Sequence, residues 1–264
     1  MQTTSSTYTK KRLAEIKEQG YELDFGTVFN NTIENYKKIA WYGGLMIFVF
    51  FTLFSLVLFG IAIAFIGFPE LKAILKPENL QLETLPLEIL LYVSVATVFI
   101  AAITCPFPAG LTKMAQSADK DEEFGIATMF QYYKAPYFVE LLIASVLLAI
   151  VSSSIQNTIA FFQIPFLGYV ISSILSLFTF LTVPFIIFGN LKAVESIKAS
   201  ILVASKQPLT LLGLIVVSSI ASWIGFLGCC IGLVFTIPFV FSLYYVVYKE
   251  IIGIETPEDL EYNG

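Results

Sequence analysis

Residues 209–247 form a run of 39 positions without a single charged side chain. Drawn as one helix at about 1.5 Å per residue, the run would reach about 60 Å, roughly twice the hydrocarbon thickness of a bilayer. It must fold back on itself. The residues able to turn are Gly225-Phe226-Leu227-Gly228, beside an interfacial Trp223, which makes two short spans of the run. Four further apolar runs precede it, at residues 40–68, 87–111, 137–160 and 169–188. The first, at 29 residues, exceeds the roughly 20 needed to cross and is expected to tilt or project. Composition agrees: 57% of residues are hydrophobic and 13% charged, with a mean hydropathy of +0.81. Soluble domains carry about a quarter charged residues.

A T-x-P-F pattern stands near the C-terminal end of three of these runs. Its copies are Thr104-Cys105-Pro106-Phe107, Thr182-Val183-Pro184-Phe185 and Thr236-Ile237-Pro238-Phe239. The first two lead into amphipathic stretches that end in Lys134-Ala135-Pro136 and Lys206-Gln207-Pro208, after which an apolar run begins again. Ahead of the first span, Phe25, Val28, Phe29, Ile33 and Tyr36 recur in steps of three and four, opposite Asn30, Asn31, Glu34 and Lys37. Ile126, Met129, Phe130 and Tyr133 play that part before the third span. Leu191, Val194, Ile197 and Ile201, opposite Lys192, Glu195 and Lys198, play it before the fifth. Glu123-Phe124-Gly125 echoes Asp24-Phe25-Gly26.

The expected fold is all-α, an integral membrane helical bundle of six transmembrane helices and three amphipathic interfacial helices lying in the headgroup plane. A threefold internal repeat is expected over residues 23–112, 119–189 and 190–250, inside a membrane domain of residues 23–253. Residues 1–22 read as a tail, disordered over 1–9, with a short charged helix at 10–19 that Gly20 stops. Residues 69–86 read as a polar loop with a short helix at 70–76, residues 112–123 as the most charged loop, and residues 254–264 as an acidic, solvated tail.

Six spans place both termini on one side, and the charges say which. Thirteen of the fifteen lysines and arginines fall there, only Lys72 and Lys76 opposite. Eight of thirteen tyrosines lie near the same boundary. By the positive-inside rule the termini are cytoplasmic, in a bacterial inner membrane. No removable signal peptide is expected ahead of the first span. The net charge of −5 is spread unevenly and gives no reason to expect a nucleic-acid partner.

The chain has no histidine, which removes the His-Glu-x-x-His metalloprotease and the imidazole-ligated iron classes. Cys105, Cys229 and Cys230 all lie in apolar runs, without the spacing of a zinc site or a secreted disulfide framework. Serine catalysis would need a base, and the spans hold neither lysine nor histidine. Neither enzyme activity, cofactor nor metal is therefore expected. Of the two carboxylates near the spans, Glu88 and Glu140, each reads as interfacial, with ion coupling as the sharper alternative.

Three sets of residues remain as candidate sites. Thr104, Pro106, Thr182, Pro184, Thr236 and Pro238 are candidate kinks, either static bends or hinges of a gate. Ser152, Ser153, Ser154, Ser172, Ser173, Ser176, Ser218, Ser219 and Ser222 form a candidate polar seam in the outer half of the membrane. With Gln156 and Asn157 they line a vestibule or, in the plainer reading, pack helices closely, as Gly228 and Gly232 would. Lys37, Lys38, Lys134, Lys192, Lys198 and Lys206 are candidate contacts to anionic lipid headgroups.

Paired spans, amphipathic helices between the pairs, a Gly-rich turn and a last span reading T-I-P-F before Tyr248-Lys249-Glu250 resemble the bacterial YciC-type inner-membrane proteins and the membrane domain attached to some glycerophosphodiesterases. The resemblance covers residues 23–253, brings no catalytic residues, and there is no phosphodiesterase domain here. The positions of the interfacial helices and their lysines lead to the expectation of a non-catalytic protein that organises membrane lipids, or a membrane or cytoplasmic protein partner, from the cytoplasmic face. A transporter or flippase for a hydrophobic or lipid-like solute, gated at the prolines, is the alternative. The sequence does not indicate an oligomeric state.

Overall fold

In the computed structural model, which describes residues 2–74, 76, 87–162, 164–227 and 231–254, Asp24 caps the longest helix of the chain. Its carboxylate accepts from the Thr27 backbone N–H and from the Thr27 hydroxyl, each at 2.7 Å. The helix runs over Phe25–Ile66, so the first amphipathic stretch and the first span are one element of 42 residues, not two. No proline separates them, and Lys37, Lys38 and Ile39 continue the helix without penalty. Val28, Thr32, Asn35, Ile39, Gly43 and Ile47 are buried along it in one seam. The seam is rotated from the expected apolar face: it takes in polar Thr32 and Asn35 and leaves Phe25 exposed. The Thr32 hydroxyl donates to Val28 O and the Asn35 amide N–H to Ala115 O, while Asn35 Oδ1 is buried with no partner among the described residues.

The described elements are all helical. They are α1 (Gln2–Gln19), α2 (Phe25–Ile66), α3 (Phe68–Ile74), α4 (Leu87–Thr104), α5 (Pro106–Asp119) and α6 (Ile126–Phe130), which leads into a 3-10 turn at Gln131–Tyr133. Next come α7 (Tyr137–Phe161), α8 (Pro165–Thr179), α9 (Thr182–Ile187), α10 (Ala193–Lys206), α11 (Pro208–Leu227) and α12 (Ile231–Ile252). Five helices are long and apolar enough to cross a membrane, or six if α10 and α11 are counted as one bent span. Those two meet at 102°, where Pro208 disfavours helical backbone at Gln207.

The second and third amphipathic stretches differ from expectation as the first does. Between Gly125 and Pro136 only the five residues of α6 and one 3-10 turn form, because the segment is closed at both ends by helix breakers. α10 is a full helix, but it buries Ala193, Ser196, Ala199, Ser200, Val203 and Ala204 and exposes Val194 and Ile201. Small side chains let it approach its neighbours closely, and its larger apolar residues face outward. α1 is helical from Gln2, so most of the stretch expected to be disordered is ordered helix. It buries Thr9 and Ile16 and is tied to the end of α12, Tyr8 donating to Ile252 O at 3.1 Å and Arg12 to Ile251 O at 3.2 Å.

α5, α9 and α12, the three elements that carry or follow the T-x-P-F prolines, pack against one another at the terminal end of the molecule, where α1 meets the end of α12. Phe107, Phe185 and Phe239 are all buried there. The largest core cluster brings Ile16 of α1, Val28 of α2, Phe185 of α9 and Tyr248 of α12 together. α11 continues as helix through Gly225, so the expected turn does not begin there. Gly225 instead lies backbone to backbone against Gly232 of α12. The connection at 228–230, with Gly228, Cys229 and Cys230, and the tail at 255–264 lie outside the described residues, as does the polar loop at 77–86.

Candidate anion-binding cleft

Where α5 leaves the apolar run, Lys113, Gln116 and Lys120 follow one another at steps of three and four and so share a helix face. That face forms one wall of a cavity of about 650 Å³ at the terminal end of the molecule. Lys134, Tyr132 and Tyr137 form a second wall. Ser5, Tyr8 and Thr9 of α1 close it from one side, and Tyr248, Gly253 and Ile254 from another. Among the described residues, three lysines line the cavity and no carboxylate does. Three acids of the neighbouring segment bond to groups outside the lining, although the Glu122 charge is still felt by Lys113. Asp119 accepts from Tyr245 at 2.7 Å and from Lys249 at 2.6 Å, Asp121 from Lys38 at 2.6 Å, and Glu122 from the Ser117 hydroxyl.

Several polar groups of the cleft are half used by the protein. The Lys113 ammonium, half-buried, spends one of its three donors on Gln116 Oε1 at 2.6 Å, leaving the Gln116 amide N–H groups. Tyr137 donates to Asn190 Oδ1 at 2.7 Å. Asn190 tolerates the left-handed backbone, φ 48°, that aims it there. Burial pushes the Tyr132 hydroxyl well above the usual phenol range, so it stays protonated and able to donate. The Lys120 and Lys134 side chains make no ion pair among the described residues. Beyond the Tyr137–Asn190 bond lies a second cavity of about 430 Å³, lined by Ser6, Thr7, Lys10, Glu140 and Lys192.

Of the six lysines singled out in the sequence, only Lys134 reaches the cleft. Lys192 lines the second cavity, Lys206 donates to Lys17 O, and Lys37 and Lys198 are exposed elsewhere. Lys38 reaches Ala118 O as well as Asp121, tying α2 to the end of α5. Lys113 and Lys120 were hidden because residues 112–123 read as a loop. The signal for them was the helical spacing after Pro106. Glu140 accepts from the backbone N–H of Ala193 at 2.7 Å and so caps α10.

The serines do not converge on one surface. Asn157 donates to Ser94 Oγ at 2.9 Å between α7 and α4, and Gln156 to Ser172 Oγ at 2.7 Å between α7 and α8. Ser173 and Ser219 donate back to carbonyls of their own helices, Ser218 is buried, and Ser154 and Ser176 are exposed. Ser153 and Ser154 line an apolar groove of about 500 Å³ between α4 and α7, which Ser152 does not join. The side chains of Ser222, Trp223 and Glu88 lie outside the described residues.

Thr104 donates to Ile100 O next to a helix break at Cys105, and Pro106 takes the first position of α5. Pro184 lies in the first turn of α9, while Pro238 sits inside α12, which does not end there. Thr182 is buried with its hydroxyl unpaired among the described residues, and Thr236 meets Gly225. All three prolines are buried. Residues 91–119 and 166–187 still run as single membrane-length elements through the breaks. Compared with models of protein families, with curated proteins and with solved structures, the chain matches none.

Proposed function

We propose that this chain is a non-catalytic integral protein of the bacterial inner membrane that holds anionic lipid headgroups in the terminal cleft. The observation that carries this reading is the cleft's three lysines with no carboxylate among its described lining residues, in a pocket of the size that takes a small organic ligand. We read α11 as a fifth span and α12 as a sixth, with both termini and the cleft in the cytoplasm, where the positive-inside rule puts the lysines. The three T-x-P-F segments, packed together at that end, fit a threefold duplication. Organising a protein partner at the same face is compatible with this role.

Each lysine near an anionic surface contributes about 1 kcal/mol. Replacing Lys113, Lys120 and Lys134 together by glutamine is therefore expected to weaken binding of short-chain phosphatidylglycerol to the detergent-solubilised protein by about a hundredfold. Lys37→Gln with Lys198→Gln, outside the cleft, is expected to leave it unchanged. Equal affinity in the triple variant and the parent would sink the reading.

The groove between α4 and α7 favours the second reading, a transporter of a lipid-like solute. It would hold an apolar chain along Leu91, Val95, Val98 and Ile150, with Ser94 and Asn157 at one end. Solute uptake into proteoliposomes that Val98→Trp abolishes would support transport, and no uptake in either form would end it.

A further inference from the structure

The cleft's hydrogen-bonding groups say more about its ligand than its charge does, an inference that rests on the headgroup reading of the cleft. A phosphate offers only acceptor oxygens, which the three ammonium groups suit. The phenol of Tyr137 cannot serve such a ligand, because its proton is committed to Asn190 Oδ1. What it presents to the cavity is oxygen lone pairs, which need a donor. The amides are polarised the other way. Gln116 and Asn190 have their carbonyl oxygens engaged, by Lys113 and Tyr137, and present N–H groups that need an acceptor. Lone pairs beside amide donors match a hydroxyl group, which is both donor and acceptor.

The aromatic rings argue against a nucleobase. Tyr132 and Tyr137 pack edge to face on each other at 5.4 Å, and Tyr248 lies against both Phe185 and Phe188. Ring faces used by neighbours are poor stacking platforms for a base. We infer that the cleft recognises a phosphate ester of a polyol: Lys113, Lys120 and Lys134 hold the phosphate, while Tyr137, Asn190 and Gln116 read the hydroxyls. The chemistry is the same whether the polyol phosphate is a lipid headgroup or a free solute.

The test is calorimetric titration of the detergent-solubilised full chain with five probes. They are short-chain phosphatidylglycerol, short-chain phosphatidic acid, glycerol 3-phosphate, inorganic phosphate and adenosine monophosphate. Phosphatidylglycerol is expected to bind at least tenfold more tightly than phosphatidic acid, which has the phosphate and the acyl chains but no free hydroxyl. A lipid source predicts that glycerol 3-phosphate binds weakly, and a free solute predicts that it binds as tightly as the lipid; both support the inference. Tyr137→Phe, which keeps the ring, is expected to erase the preference for phosphatidylglycerol and leave phosphatidic acid binding intact. Asn190→Ala supplies the same test should the phenylalanine variant misfold. Equal affinity for the two lipids would overturn the polyol assignment while leaving the headgroup reading in place, and tightest binding of adenosine monophosphate would overturn it in favour of a nucleotide. Failure of all five probes to bind would remove the headgroup reading itself.

Discussion

The two ends of this molecule obey different rules. In the most apolar stretch of α2 only 6% of residues are buried, whereas in 235–252, which runs into the terminal end, 56% are. The same contrast holds for single residues: Phe51, Phe59, Leu53 and Val57 of the C-terminal half of α2 stand exposed, and Phe107, Phe185, Leu181 and Tyr248 at the terminal end are sealed. Hydrophobicity does not distinguish the two groups. Solvent does. In hydrocarbon an exposed phenylalanine costs nothing, so helices there need only small contacts and a few bonds such as Gln156 to Ser172. Where the helices emerge, water makes burial favourable, and α1, α5, α9, α10 and α12 close into a core with polar walls. Cleft and core therefore occur together at that end.

The sharpest way to break this comparison is a pair of equal truncations. Phe185, fully buried against Tyr248 with ring centroids 5.2 Å apart, is expected to cost about 3–5 kcal/mol as Phe185→Ala. Phe59→Ala, in the exposed half of α2, is expected to stay within about 0.5 kcal/mol. Denaturation of both variants in the same detergent decides the matter. Equal losses would mean that the C-terminal half of α2 is packed against something as tightly as the terminal end.

Glycines allow a second, smaller comparison. A Cβ on Gly110 of α5 would collide with the backbone of Met129, with no flexible side chain in between to give way. Gly110→Ala is expected to destabilise by about 1–3 kcal/mol as α6 is pushed off. At Gly60, in the C-terminal half of α2, a Cβ meets nothing within 4 Å, so Gly60→Ala is expected to stabilise the helix by up to about 1 kcal/mol. Opposite signs in thermal melts sharpen the distinction between the ends, and the same sign at both sites removes it.

Much of the architecture was legible because hydrocarbon imposes a length scale on the sequence. Each apolar run contributes a stretch of spanning length, but the 39-residue run gives only one by itself, over 235–252, and its first half counts only together with α10 across the bend. Pro208 marked a real bend, and the T-x-P-F copies marked where spans enter the core. The amphipathic faces were legible only in part. At α2 and α10 the buried seams also take in Asn35, Thr32, Ser196 and Ser200, small or bonded side chains that a count of apolar residues passes over. The cleft was hardest to see. Lys113 and Lys120 become neighbours of Lys134 only when α5 continues about four turns past Pro106. Tyr8 and Asn190 join them through contacts across more than 180 positions of chain, as with Ser5 bonding Phe188 O.

The smallest effect separates two lysines that the sequence treated alike. Lys38 sits 2.6 Å from Asp121, but their side chains are 47% and 82% exposed, a setting in which an ion pair contributes about 0.2–1 kcal/mol. Lys38→Gln is expected to lower stability by that amount at low salt, and by less in 1 M salt, where screening falls to about 3 Å. Because Lys38 is engaged by Ala118 O and Asp121 and does not line the cleft, the same variant is expected to leave phosphatidylglycerol binding untouched. Lys134→Gln should do the reverse, with affinity reduced about fivefold and the melting temperature unchanged. If the two variants behave alike in both measurements, the lysines act as a diffuse positive surface and the cleft has no privileged place on it.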